Sequence, residues 1–142
     1  TIAGHPCHAY SRNEGRTWTP PAFMTYRPGG PLVENPRAAN FVRKLEEGPY
    51  AGKYLYWFHN NKGPGYIGRN PAFLCGGEEI DSAEGKIIVW GNPLPILFSK
   101  DKNVRISYPD FIWDDGLFIT ETQKTIARVH KIPDEFLQLL WK

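Results

Sequence analysis

The stretch Phe111-Ile112-Trp113-Asp114-Asp115-Gly116-Leu117-Phe118-Ile119-Thr120 reads as two strands joined by a tight turn. Aromatic and β-branched residues fill both arms, and such side chains suit a pleated, half-buried surface. Asp115-Gly116 supplies the turn, because Asp tolerates positive φ and Gly adopts it freely. Two arms joined this closely pair antiparallel.

The same reading extends in both directions from this hairpin. Downstream, Ile126 to His130 forms the next strand. Pro133-Asp134-Glu135 then starts a short helix, with Phe136, Leu139 and Leu140 expected along one face. Upstream, strands are expected at His8 to Ser11, Ala22 to Tyr26, Asn40 to Lys44, Lys53 to Asn60, Pro71 to Gly76, Lys86 to Trp90 and Ile96 to Phe98. Glu46 to Gly52 looks like a lengthened hairpin, Asn60 to Asn70 a loop, and the segment after Gly76 an acidic, Gly-containing hairpin. Short strands with no helix between them exclude a parallel α/β sheet. The chain is therefore all-β.

Grouped in order, the strands make a partial unit up to Tyr26, a full unit near residues 39 to 98, and another from Tyr108 onward. Successive antiparallel four-strand units are β-propeller blades, each of roughly 40–50 residues. The 142 residues then provide about three blades, where closure needs at least four. The expectation is a single domain, 1–142, that is a fragment of a propeller whose remainder lies elsewhere or in another chain. Thr1 at the start, in place of Met, is expected of a chain that is processed, truncated or a piece of something longer.

Composition narrows the functional classes. Five Trp, seven Tyr and eight Phe are a heavy aromatic load, and 14 Gly with 13 Pro interrupt the chain often. A net charge of +2 lacks the dense basic surface of a dedicated nucleic-acid binder, so no nucleic-acid partner is expected. No apolar run approaches the ~18 residues of a membrane span, and no membrane partner is expected. Cys7 and Cys75 allow one disulfide or two buried thiols, which leaves the compartment open, secreted and periplasmic locations included. His5-Pro6-Cys7-His8 has no second Cys/His pair at metal-site spacing, so no metal and no other cofactor is expected. Neither a phosphate-binding loop nor a serine-hydrolase elbow occurs.

Ser11-Arg12-Asn13-Glu14-Gly15-Arg16-Thr17-Trp18 resembles the Asp-box (BNR repeat) of sialidase-like propellers, Ser-x-Asp-x-Gly-x-Thr-Trp, with Asn13 in place of Asp. Asn13 can bond the backbone of its own turn and Gly15 can take positive φ, while Trp18 is expected to be buried between sheets. Ser107-Tyr108-Pro109-Asp110-Phe111, Asp115-Gly116-Leu117 and Thr120-Glu121 look like the opening of a sialidase-type blade. Asn35-Pro36-Arg37-Ala38, Trp57-Phe58-His59-Asn60, Arg69-Asn70-Pro71-Ala72 and Glu121 to Thr125 are similar to bacterial exo-sialidase-like proteins.

The resemblance implies a glycoside hydrolase acting on carbohydrate, a sialoside or another acidic sugar. In that family three arginines hold the substrate carboxylate, a Tyr activated by a Glu is the nucleophile, and an Asp is the acid/base. Arginine suits the task because its planar fork meets a carboxylate bidentately. A neutral Tyr avoids the repulsion a carboxylate nucleophile would meet at an anionic sugar. Arg37, Arg69 and Arg105 are the candidate substrate-binding residues, with His59 beside the aromatic run. Tyr108, Asp110 and Glu121 are the candidate catalytic residues.

Each candidate has a plain structural alternative. Tyr108 before Pro109 fits a packed aromatic at a strand entry, Asp110 a backbone-bonding side chain, and Glu121 a solvated strand end. Asp114 and Asp115 belong to the turn. A non-catalytic segment that binds glycans or proteins through aromatic loops is the competing reading.

Overall fold

The computed structural model describes residues 2–64 and 68–142. The Asn60 to Asn70 loop thus lies partly outside the described residues. Ten strands are present: β1 (Cys7–His8), β2 (Ala22–Phe23), β3 (Phe41–Lys44), β4 (Tyr54–Phe58), β5 (Ala72–Ser82), β6 (Gly85–Trp90), β7 (Leu94–Leu97), β8 (Ser107–Trp113), β9 (Leu117–Gln123) and β10 (Ile126–Ile132). One short helix, α1 (Asp134–Leu137), follows. All strand pairs are antiparallel. They make a pair β1–β2, a five-stranded sheet ordered β3-β4-β5-β6 with β7 also on β5, and a three-stranded sheet β8-β9-β10.

The order of layers follows from β4. Its sequence Tyr-Leu-Tyr-Trp-Phe is apolar at every position, so it buries both faces. Leu55 and Trp57 join Ala72 and Leu74 against Phe111, Leu117, Ile119 and Ile132 of the three-stranded sheet. Tyr56 and Phe58 turn the other way, packing with Cys75 and Trp90 against Met24 and Val33 of the N-terminal segment. The five-stranded sheet is the middle layer. The three-stranded sheet covers one of its faces and the N-terminal segment the other.

The acidic stretch is the expected hairpin with longer arms: β5 runs to Ser82 and pairs with β6, leaving only Ala83 and Glu84 to turn. Cations on neighbouring strands compensate its charges. Glu78 pairs with Lys53, and Lys86 lies 3.2 Å from Glu79. The Lys86 hydrogen bond, with a second from Tyr54, holds the Glu79 carboxyl below its usual range. At the C-terminus, Leu137 and Leu140 are buried while Leu139 is exposed. α1 is too short to present a longer face, and Leu140 comes inward from the turn that follows it. The cysteines are both free, Cys7 exposed and Cys75 buried, and burial raises the Cys75 thiol.

A further correction concerns Trp18. The turn chemistry appears as its residues suggest: Asn13 Oδ1 accepts from the Thr17 amide at 2.9 Å, and Gly15 takes φ 84°. Trp18 itself, however, is 63% exposed. The turn lies between the two-residue strands β1 and β2, and it is Arg12, not Trp18, that reaches β6, donating from Nη1 to Lys86 O at 2.7 Å. Trp18 folds back instead, donating from Nε1 to Gly15 O at 3.0 Å. Trp18→Ala is therefore expected to lower stability by less than about 1 kcal/mol in urea unfolding, not the ~3–5 kcal/mol of a buried aromatic.

Gly76 and Gly91 let the chain end cross the middle sheet. A Cβ at Gly76 would lie 2.4 Å from Leu140 O and 2.6 Å from Trp141 Nε1. Trp141 donates to Gly77 O at 3.2 Å and stacks on Tyr50 at 4.7 Å. Gly76→Ala is expected to cost roughly 1–3 kcal/mol by overpacking, visible as a lowered urea midpoint with an unchanged m-value.

Candidate functional site

The site begins with a chain irregularity. In β8, Ser107 pairs with Thr122 and Asp110 with Thr120, so Tyr108 and Pro109 together stand opposite Glu121. This is a β-bulge, and Pro109 accounts for it by having no N–H to give the ladder. Tyr108 takes φ 52°, against the extended backbone that a following proline favours, and is 64% exposed. A positive φ at a bulky residue costs on the order of 1–3 kcal/mol and needs strong support from its surroundings.

That support comes from Arg69 and His59. Ile106 donates its amide to Arg69 O at 2.9 Å, and its carbonyl accepts from His59 Nε2 at 2.7 Å. Arg69 donates from Nη1 to Ser107 Oγ at 3.2 Å and from Nη2 to Arg37 O at 3.1 Å. Its Cζ lies 5.9 Å from the centre of the Tyr108 ring, within cation–π reach. One guanidinium thus binds the first residue of β8, the loop of Arg37 and the strained tyrosine.

His59 is fully buried at the end of β4, with its amide donated to Asn35 Oδ1 at 2.9 Å. A carbonyl can only accept, so Nε2 carries the proton and Nδ1 does not. Nδ1 is buried without a hydrogen-bond partner among the described residues. Burial pushes the imidazole down to about 4; the Ile106 bond acts upward and the Arg69 charge downward. His59 supports the site from beneath.

Arg69 and Arg105 line one cleft of ≈ 670 Å³. Its walls come from the chain before β5, the segment between β7 and β8, and Lys124 in the β9–β10 turn. Asn70 ties the first two walls together, donating to Ser99 O at 2.8 Å and accepting from the Ser99 amide at 3.0 Å. Arg37 is exposed and reaches the cluster through its carbonyl.

The carboxylates are engaged elsewhere. Asp110 Oδ1 lies 2.7 Å from Arg43 Nη2, a partner on β3 absent from the sequence candidates. Glu121 continues the inward alternation Leu117-Ile119-Glu121 and is buried, not a solvated strand end. Its Oε1 accepts from Gln123 at 3.0 Å and lies 3.2 Å from His130 Nε2; Oε2 has no partner among the described residues. Arg69, Arg105 and Tyr108 are brought together, with His59 below. Asp110 and Glu121 are bound to other side chains.

Sequence reasoning missed Lys100, Lys102, Lys124 and Phe98, which also line the cleft. The run Lys100-Asp101-Lys102 was visible, but nothing local indicated that it faces Lys124. Comparison with known proteins finds no family model, curated protein or solved structure that matches this chain.

Proposed function

We propose that this chain recognises an acidic carbohydrate at the cleft of Arg69 and Arg105, beside Tyr108, as part of a sialidase-like propeller. The observation that carries the reading is the Arg69 cluster, in which one guanidinium reaches the exposed, strained Tyr108 and also lines the cleft with Arg105. Positive guanidinium groups suit a sugar carboxylate, and an exposed aromatic suits the apolar face of a sugar ring. The four-strand meander β3 to β6 and the three-strand meander β8 to β10 are consistent with blades. Exposed Ile112 and Val129, on the three-stranded sheet, suit packing against a further blade supplied by the missing remainder or another chain.

Calorimetric titration with sialyllactose and with lactose tests the reading. Binding of the acidic sugar without the neutral one is the expected outcome; equal binding, or none, would sink it.

Hydrolysis is the second reading, and the positive φ of Tyr108 favours it, because backbone strain concentrates at functional positions. Tyr108→Phe is expected to abolish turnover of a fluorogenic sialoside while changing stability by less than about 1 kcal/mol. Equal turnover in that variant removes Tyr108 as the nucleophile. If the unmodified chain has no turnover while it does bind sialyllactose, the non-catalytic reading holds.

A further inference from the structure

We infer that the cleft takes a carbohydrate bearing several fixed anionic groups rather than one carboxylate; this rests on the acidic-sugar reading and specifies its substrate class. Five cationic side chains converge there from three separate parts of the chain: Arg69, then Lys100, Lys102 and Arg105, then Lys124. No Asp or Glu is among its described lining residues. Asp101, within the same loop, is not among the lining residues and is engaged by Asn103: its Oδ1 accepts from the Asn103 amide at 2.9 Å and from Asn103 Nδ2 at 3.2 Å. Among the described residues, no salt bridge engages Lys100, Lys102, Arg105 or Lys124.

A chain with net charge +2 has nearly enough acids to balance its bases, so this segregation is local. Like charges gathered around a concavity repel one another and raise the local potential, and an anionic occupant relieves that repulsion. One carboxylate is met by a single bidentate arginine. The three lysines are point-charge donors without fork geometry, which suits further anionic groups in less demanding orientations. The volume, ≈ 670 Å³, is within the range of small-ligand sites and exceeds what one sugar ring needs. Phe98, 70% exposed in the same lining, offers a ring face for stacking. A polymer with anionic groups on successive sugars meets all three features. Sulfate esters and uronic carboxylates share this chemistry.

The test measures affinity at two salt concentrations for a sulfated heparin tetrasaccharide, a tetragalacturonate, sialyllactose and a single-stranded thymidine oligonucleotide. The heparin or the galacturonate oligomer is expected to bind at least tenfold tighter than sialyllactose, with the stronger salt dependence. Which of the two binds more tightly identifies sulfate or carboxylate as the preferred group. In the combined Lys100→Ala, Lys102→Ala and Lys124→Ala variant, that tenfold advantage should disappear while the urea midpoint stays in place, since all three side chains are exposed. Equal affinity for sialyllactose and the oligomers overturns this inference and leaves the acidic-sugar reading standing. Failure of every acidic sugar overturns both, and tightest binding by the oligonucleotide replaces the inference with a nucleic-acid site.

Discussion

Arg69→Ala is expected to weaken binding of an acidic oligosaccharide at least tenfold and to destabilise the fold by roughly 1–3 kcal/mol. The two losses have one source. Arg69 donates to Ser107 Oγ and Arg37 O, holds its cation near the Tyr108 ring, and forms part of the cleft wall. Removing it leaves the buried Ser107 hydroxyl without its donor and takes a positive charge from the cleft. Arg69→Lys separates the contributions. Lysine retains the charge but cannot span Ser107 and Arg37 with two donors in one plane, so it should recover part of the affinity and little of the stability. Calorimetric titration combined with urea unfolding of both variants provides the check. Full affinity in a folded Arg69→Ala protein would exclude this cleft as the binding site.

Acidification should destabilise the protein through His59 by on the order of 3 kcal/mol, since a change from 6.5 to about 4 is worth ~1.4 kcal/mol per unit. The folded chain holds the imidazole neutral, whereas the unfolded chain lets it take a proton near 6.5. Below pH 6.5 the unfolded state therefore binds more protons, and stability falls until the folded group titrates near 4. Above pH 6.5 both states are neutral and the effect vanishes. Urea midpoints at pH 7.0 and 4.5 for the unaltered chain and His59→Gln isolate this contribution, because glutamine can still donate to Ile106 O but does not titrate. The variant should start less stable at pH 7.0 and lose less on acidification. Nitrogen-resolved NMR should also show the Nε2–H form at pH 6, and an imidazole titrating near 6.5 would remove the explanation.

Much of the fold was legible because its signals are local. Asp115-Gly116 specifies a turn through backbone preferences, and the alternation of β9 is written in Leu117, Ile119 and Glu121. That same alternation was the available sign that Glu121 points inward. Its charge suggested a solvated strand end, but the half-buried partners Gln123 and His130 accommodate it. Trp18 shows the reverse case. The residues from Asn13 to Thr17 were sufficient to shape their turn, yet burial of the indole depended on which side chain meets the adjoining sheet, and there Arg12 reaches β6 instead.

The sequence by itself determined the antiparallel all-β class, the hairpin at 114–116, the short C-terminal helix, and the choice of Arg69, Arg105 and Tyr108 as residues to watch. The class, the hairpin and the helix follow from turn chemistry, two-residue periodicity and residue type, which act within a few positions of the chain; the choice of the three side chains rested on the resemblance to sialidase-like proteins. Only the tertiary structure decided that Asp110 binds Arg43 of β3, that His59 lies buried beneath Ile106, and that Lys124 closes a basic cleft with Lys100 and Lys102. Those pairings join residues tens of positions apart. They depend on how two sheets pack and where the Tyr108–Pro109 bulge shifts the register, and no local preference encodes either.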